Sequence, residues 1–152
     1  MIRYETSIPS TMTGPDAFAY MSDFTNSVDW DPNVISARRA TDGDIGLGTA
    51  FDLVSKFAWS RVPLRYVVTA YDAPRRVALT AQKSTFDGID TITVARDNGR
   101  TVVTYDARLV FKGIARVMEP FVGIVFRRVA RSAAEGLQRV LNPAAAGRQP
   151  RR

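Results

Sequence analysis

The hydrophobic pattern of the chain changes from a two-residue period to a helical one. Residues 2–8 alternate, with Ile2 and Tyr4 on one side and Arg3 on the other, and Pro9 ends the run. This pattern predicts a half-buried strand. Alternation and turn residues predict six more strands, at residues 33–42, 51–59, 66–70, 77–81, 89–94 and 101–112. The intervals are too short for crossover helices, so we expect one antiparallel meander.

Residues 113–141 form the one long stretch with a helical period. One side of this segment is predicted to be apolar and the opposite side carries the arginines of the segment, as expected of a helix lying on a sheet. Pro120 is tolerated only in a first turn. We therefore expect either a short turn over 114–118 followed by a helix over 120–141, or one helix kinked near Glu119.

Two shorter helical segments follow the first strand. Thr13 is a suitable cap and Pro15 suits a first turn, which predicts a short helix there. Residues 23–30 predict a second helical turn, ended by Pro32. The predicted fold class is α+β: a strongly twisted seven-stranded sheet curls, and the long helix lies in the curl over either a filled core or a hollow.

Composition restricts the chemistry that is available. The chain has 152 residues and contains neither cysteine nor histidine. Disulfides, zinc–thiolate sites, thiol nucleophiles and a histidine base are therefore excluded. We expect no metal and no cofactor, and any catalysis must use Asp, Glu, Lys, Tyr or water. We expect a single domain over 1–142 and a basic disordered tail over 143–152.

Charge and hydropathy bear on partners and location. The net charge is +6, so a nucleic-acid partner must be considered. The arginines are spread over strands, helix and tail without interleaved aromatic residues, which favours a solvated basic surface instead. The N-terminus has no apolar core typical of a signal peptide, and the longest apolar run, Phe121–Phe126, is too short to cross a bilayer. We expect a cytoplasmic protein.

The order of elements resembles the helix-grip fold of the START-like superfamily, especially its bacterial polyketide cyclase/dehydrase (SRPBCC) branch. The resemblance covers residues 2–141 and is carried by Pro15-Asp16-Ala17-Phe18, Trp30-Asp31-Pro32, Gly46-Leu47-Gly48 and the terminal helix. It implies an apolar cavity between helix and sheet that takes lipids, sterols, polyketides or quinones. We interpret Gly43–Gly48 as a β-turn between two strands; because this loop lies over the cavity mouth in related folds, the resemblance leaves a gating role open. Membership implies a pocket but not a reaction.

Candidate ligand-binding residues are the large apolar and aromatic side chains assigned to the inner faces. They are Trp30, Phe51, Leu53, Phe57, Trp59, Tyr66, Val68, Leu79, Val103, Tyr105, Leu109, Met118, Phe121, Val122 and Val125. A one-residue error in strand phase would invert these assignments. Tyr105 is expected inside with a hydroxyl that needs a partner, whereas Arg108 is expected on the outer face.

Three residues are candidates for catalysis: Asp90, Glu119 and Tyr105. Asp90 is either a buried carboxylate, which must be paired, protonated or functional, or a solvated residue near a strand start. Glu119 either enters the cavity or is stabilised by the helix dipole. Asp29 and Asp31 flank Trp30. They form either a carboxylate pair that shares a proton or turn caps around a packed indole, and we favour the turn caps.

The residues leave three functions open. The first is binding of a small hydrophobic or amphipathic ligand, and the second is a cyclase/dehydrase-type enzyme that uses Asp, Glu or Tyr. The third is a basic module that binds RNA or an anionic membrane, the latter weakly through the arginine face of the terminal helix. The protein is expected to be a monomer or a homodimer.

Overall fold

Seven strands form one antiparallel sheet in the order β1-β7-β6-β5-β4-β3-β2 in this computed structural model, which describes residues 1–143. The strands are β1 (Ile2–Ser10), β2 (Val34–Arg39), β3 (Ala50–Phe57), β4 (Ser60–Asp72), β5 (Arg76–Gln82), β6 (Phe86–Asp97) and β7 (Arg100–Phe111). The predicted architecture is confirmed. The tail expected at 143–152 lies, apart from its first residue, outside the described range.

Three α-helices and two 3₁₀ turns complete the described chain. They are α1 (Gly14–Ser22), α2 (Ser27–Trp30), α3 (Glu119–Leu141) and the 3₁₀ turns Phe24–Asn26 and Gly113–Met118. Thr13 caps α1 by accepting a hydrogen bond from the backbone N–H of Asp16 at 3.2 Å. Of the two forms expected around Pro120, the turn followed by a helix is correct, with the proline in the first turn of α3.

Helix α3 is fixed at its C-terminal half by a very close approach to α2. A Cβ placed on Gly136 would lie 1.7 Å from the carbonyl oxygen of Trp30, so only glycine lets the two backbones meet here. The side chain of Asn33 also donates to Ser132 Oγ at 3.1 Å. This contact anchors one half of the helix over the sheet.

Beneath that half, the inner face of the sheet is closely packed. Five of its side chains, one from each of the strands β3–β7, are almost or completely inaccessible: Phe51, Val68, Leu79, Ile92 and Val103. Phe18 and Met21 of α1 belong to the same apolar cluster. The filled core therefore occupies one end of the molecule. No helix within residues 1–143 is long and apolar enough to cross a bilayer.

Candidate functional site

A cavity of about 400 Å³ lies between the other half of the sheet and α3. Its walls are strands β2, β3, β4, β6 and β7, helix α2, the two 3₁₀ turns and the inner side of α3. The large apolar and aromatic side chains on these walls are Phe24, Trp30, Val34, Leu53, Phe57, Val62, Leu64, Tyr66, Phe86, Tyr105, Leu109, Phe111, Met118, Val122, Phe126 and Val129. The surface is mainly hydrocarbon and aromatic ring.

The cavity is continuous with solvent at one end, which we call the mouth. Three of its lining residues, Lys56, Thr85 and Met118, are exposed. They lie where β3 and β5 finish and where the turn before α3 ends. Because β3, β5 and β7 run in the same direction, their C-terminal ends meet at this end of the sheet.

Aromatic rings form the inner end of the cavity, which we call the floor. Phe24 contacts Tyr66 edge-on with ring centroids 5.3 Å apart, and Trp30 contacts Tyr105 in the same way at 5.5 Å. Such edge-to-face pairs hold their rings in place. Both tyrosine hydroxyls are thereby presented in the same small region as the carboxyl group of Asp90.

Asp90 is the most perturbed acid of the site. It projects inward from β6 opposite Ala107 of β7, and only 8% of its surface is exposed. Burial raises its pKa to about 7, the charge of Asp31 contributes in the same direction, and hydrogen bonding from Tyr105 and Tyr66 opposes the rise. A carboxyl group with this pKa exchanges a proton near neutral pH.

Tyr66 and Tyr105 remain protonated because burial and the nearby carboxylates raise the pKa of both hydroxyls well above the ordinary value. Each therefore acts as a neutral donor. Gly88 lies beside the first of them: a Cβ there would be in van der Waals contact with the Tyr66 hydroxyl oxygen, at 3.4 Å. The three side chains of Asp90, Tyr66 and Tyr105 make up what we call the acid–tyrosine cluster.

Asp31 is a second acid of the cavity wall. Its Oδ1 accepts hydrogen bonds from the backbone N–H of Asn33 at 2.9 Å and from the Asn33 amide at 3.0 Å. It thus caps a turn, as interpreted from the sequence, and it also lines the cavity. Burial raises its pKa even though the two bonds from Asn33 lower it.

Positive charge lies away from the acid–tyrosine cluster. The cationic residues among the lining are Lys56, which is exposed at the mouth, and Arg108. The Arg108 guanidinium donates to Asp106 on the outer face of the sheet, with Nη2 2.9 Å from Oδ2. The floor therefore offers two acids and two hydroxyl donors, without a cation beside them to hold an anion.

Eight of the fifteen residues predicted for ligand contact line this cavity: Trp30, Leu53, Phe57, Tyr66, Tyr105, Leu109, Met118 and Val122. Tyr105 points inward, as its alternation with Val103 and Ala107 predicted. The contact of these eight residues with a ligand stays a prediction.

Four other predicted wall residues, Phe51, Val68, Leu79 and Val103, belong to the packed core instead. Their face was assigned correctly, but they lie beyond the floor, where α1 and the close α2–α3 contact fill the space. Alternation identifies a face of a strand and carries no information about how far along that face a hollow extends.

Three more predicted wall positions are wrong, and Glu119 also lies elsewhere. Trp59 sits in the β3–β4 turn after Ala58, whose φ of 55° ends the alternation, and its side chain is exposed. Phe121 projects from the outer side of α3, and Val125 is half-buried on its flank. The Glu119 carboxylate forms an ion pair with the N-terminal amine of Met1 and is not part of the lining.

The glycine-rich loop lies away from the mouth of the cavity. Residues 40–49 connect β2 to β3 at the end of the sheet opposite the mouth, and none of them lines the cavity. A gating role for Gly43–Gly48 is therefore not supported. In this chain the residues at the mouth belong to the end of β3, to the β5–β6 turn and to the segment before α3.

Sequence reasoning missed several contributors to the site. Phe24, Phe86 and Phe126 line the cavity, and Gly88 lies inside β6 rather than in the turn that its glycine suggested. The available signal was the spacing of Gly88 and Asp90, which places both on the inner face of one strand. Asp31 was identified as a turn cap and missed as a wall residue.

This architecture, a long C-terminal helix over a curled antiparallel sheet with a cavity between them, is that of the START-like helix-grip class. The structure is similar to that of a START superfamily protein from Mycobacterium smegmatis, with a TM-score of 0.73, 13% identity and coverage of 91% of this chain and 96% of that one. It is also similar to a protein from Thermus thermophilus, with a TM-score of 0.73, 15% identity and coverage of 96% and 98%.

The sequence matches the family described as polyketide cyclase / dehydrase and lipid transport over residues 1–142, and the chain belongs to this family. A di-domain aromatase/cyclase, BexL of the BE-7585A biosynthetic pathway, is similar with a TM-score of 0.69 and 13% identity, over 98% of this chain and 51% of that one. A comparison with curated protein sequences gave no significant match. Family and fold fit a START-like domain that binds hydrophobic ligands.

Proposed function

We propose that the protein binds a small hydrophobic or amphipathic molecule, such as a lipid, a polyketide or a quinone-like compound, in the cavity between the sheet and α3. The observation that carries the proposal is the apolar hollow of about 400 Å³. It is open at one end, and at its other end it borders the closely packed core. Ligand pockets typically have volumes of about 300–1,000 Å³ and mostly apolar walls. Burial of ligand hydrocarbon there supplies affinity at about 25 cal/mol per Å².

The acid–tyrosine cluster at the floor orients the ligand. Tyr66 and Tyr105 donate hydrogen bonds, and Asp90 either accepts or donates according to its protonation. Because Asp31 also lies on the wall and no cation of residues 1–143 lies beside the cluster, we expect an anionic head group to be repelled. We expect the ligand to place a hydroxyl, carbonyl or amine at the floor and its apolar part towards the mouth.

Trp30 provides a direct readout of occupancy because its ring is part of the wall. The chain has two tryptophans, and Trp59→Phe leaves Trp30 as the only one. Titration of this variant with decanol, decylamine and decanoate should change Trp30 fluorescence with the first two. Above the pKa of Asp90, decanoate should bind at least roughly tenfold more weakly than decanol. Equal affinity of all three would contradict the proposed role of the cluster.

A variant in which a larger side chain fills the cavity tests whether the ligand binds there at all. Ala107 is buried on the wall of β7, and Ala107→Leu should reduce decanol affinity and the ligand-induced rise in melting temperature. Ala95→Leu makes the same change on the exposed outer face of β6 and should bind like the parent. If the parent and Ala107→Leu bind alike, or if no apolar ligand binds, the cavity is not the binding site.

A second candidate is a cyclase/dehydrase-type reaction, favoured by one observation: a carboxyl group of pKa about 7 beside two tyrosine hydroxyls in an apolar cavity. Such a group can remove a proton next to a ligand carbonyl and return it elsewhere, while a tyrosine stabilises the enolate oxygen. Asp90 would be the base and Tyr105 or Tyr66 the donor. Glu119 has no part in this scheme because it lies outside the cavity.

Deuterium exchange into an enolisable β-diketone of polyketide type separates the two candidates. If the protein is an enzyme of this kind, exchange should be catalytic and should fall by at least about a hundredfold in Asp90→Asn, while Trp30 fluorescence still reports binding. Binding without exchange in the parent protein leaves the carrier function alone.

A further inference from the structure

Six large apolar side chains are exposed together around the mouth of the cavity. Each of them either lines the cavity or lies within two residues of a residue that does. Trp59 is two residues after Phe57, and the others belong to the segment of residues 114–124, which includes the lining residues Ala115 and Val122. The six residues are Trp59, Ile114, Val117, Met118, Phe121 and Ile124, and we call them the apolar tip. Trp59 is 96% exposed at the end of a hairpin.

The outer side of α3 changes character along its length. Phe121 and Ile124 lie opposite the buried Phe126 and Ala130, on the side that an ordinary surface helix reserves for polar residues. On that same side the next residues are Arg128 and Arg131. Ile124 and Arg128 are separated by about 6 Å along the helix axis, so guanidinium groups follow directly behind the apolar tip.

Cations also surround the apolar tip on its other elements. Lys56 and Arg61 flank Trp59 in the hairpin, and Arg116 lies between Ile114 and Val117. In the described part of the chain no carboxylate lies within ion-pairing distance of Arg61, Arg116, Arg127 or Arg128. The acids at this end are already paired, Glu119 with the N-terminal amine and Asp87 with Lys112.

We propose that this end of the molecule docks on an anionic lipid bilayer, with the apolar tip in the head-group region and the arginines at the level of the phosphates. Interfacial segments bury apolar groups by about 5–10 Å and gain electrostatic attraction from anionic lipid. A second copy of the chain fits less well, because a twofold contact would bring two cationic rims together. Docking would place the mouth against the bilayer, and it does not depend on which ligand the cavity holds.

The primary test is sedimentation of the full chain with phosphatidylcholine vesicles that contain or lack phosphatidylglycerol. The protein should bind the anionic vesicles, and the binding should weaken as salt is added. Trp59→Ser and Ile124→Ser should each reduce the partition coefficient roughly tenfold, as expected for loss of one buried apolar side chain. Both side chains are exposed, so folding should not be affected.

Leu47→Ser is the matched control. Leu47 is 74% exposed, against 72% for Ile124, but it lies in the loop at the opposite end of the sheet. Its replacement should leave vesicle binding unchanged. Fluorescence gives an independent readout, since brominated phosphatidylcholine included in the vesicles should quench Trp59, and the quenching should be largely lost in Trp59→Phe.

Four outcomes would overturn the proposal. The parent protein would fail to bind anionic vesicles at low salt, or Leu47→Ser would reduce binding as much as Ile124→Ser. Alternatively, Ile124→Ser would dissociate a dimer detected by analytical ultracentrifugation, which would identify a second copy as the occupant. Finally, retention on RNA that depends on Arg127 and Arg128, with no vesicle binding, would identify a nucleic-acid surface.

Discussion

Asp90 lies on β6 and Asp106 on the neighbouring strand β7, and the two side chains face opposite sides of the sheet. Asp106 pairs with Thr91, the residue that follows Asp90. Both expose little surface, 8% and 7%, but Asp90 lies in the interior beside the cavity, whereas Asp106 is covered on the outer face by partly exposed arginine side chains. Yet burial raises the pKa of Asp90 to about 7, whereas the pKa of Asp106 is lowered.

The difference comes from the depth of burial and from the partners on each face. At Asp106 burial also opposes ionisation, but hydrogen bonds from Arg108 and Arg3 outweigh it, at Nη2–Oδ2 distances of 2.9 and 2.8 Å. Asp90 has tyrosine hydroxyls and a second acid nearby. The comparison teaches that a small exposed surface does not by itself mark a functional carboxylate. Deep burial beside a cavity, with no cation among the described residues to pair with it, is the better mark.

The largest expected effect is on the pH dependence of stability, through Asp90→Asn. The folded-state pKa of Asp90 is raised above its unfolded value of about 4, so the folded state binds more protons between about pH 4 and pH 7 and its stability falls as pH rises through that window. Asn cannot ionise. The variant should therefore gain on the parent by up to about 4 kcal/mol between these pH values.

Urea denaturation of both proteins across this pH range measures the effect. The difference between the two curves is the relevant quantity, because Asp31, whose pKa is also raised, adds a slope of the same sign in both. A constant difference between parent and variant would show that Asp90 is ionised throughout and has a partner that the structure does not assign.

Asp106→Asn should act in the opposite direction and more weakly. At neutral pH it should destabilise the protein by about 2 kcal/mol, since charge-assisted hydrogen bonds from two arginines are lost and both guanidinium groups are partly solvated. Because the folded pKa of Asp106 is lowered, this contribution is present above about pH 4 and is lost as pH falls through the folded value.

Denaturation at neutral and at acidic pH checks this result, and Asp52→Asn is a useful reference. Asp52 is also bound by an arginine, with Arg65 Nε at 2.7 Å, but it is more exposed. Its replacement should therefore matter less. A gain in stability from Asp106→Asn at neutral pH would refute the contrast between the two faces.

The smallest expected effect is that of Tyr105→Phe. The Tyr105 hydroxyl lowers the pKa of Asp90, so its removal should raise that pKa further and change stability by about 1 kcal/mol. Carbon NMR of the Asp90 carboxyl group during a pH titration reports the change directly. Tyr71→Phe is the control. The Tyr71 ring contacts Phe18 and does not line the cavity, so this change should leave the Asp90 titration unaltered.

The order of elements and the inner face of β7 were predictable because they depend on local periodicity. The turn residues and the position of Pro120 supplied the boundaries. The extent of the cavity was not predictable, and Phe51, Val68, Leu79 and Val103 show why: they share a face with true wall residues, but α1 and α2 fill the space in front of them. Trp59 failed because a turn ends the alternation from which it was assigned, and Phe121 failed because the helical period places it on the side of α3 opposite Phe126.

The sequence by itself determined the fold class, the absence of cysteine and histidine chemistry and the arginine-rich surface, since these follow from composition and from near-neighbour spacing. Only the tertiary structure decided that Asp90 is buried between two tyrosines, that Gly136 closes one end of the helix–sheet layer on Trp30, and that six apolar side chains surround the open end. These features depend on residues distant in the chain, and a local pattern records the direction of a side chain but not what it meets there.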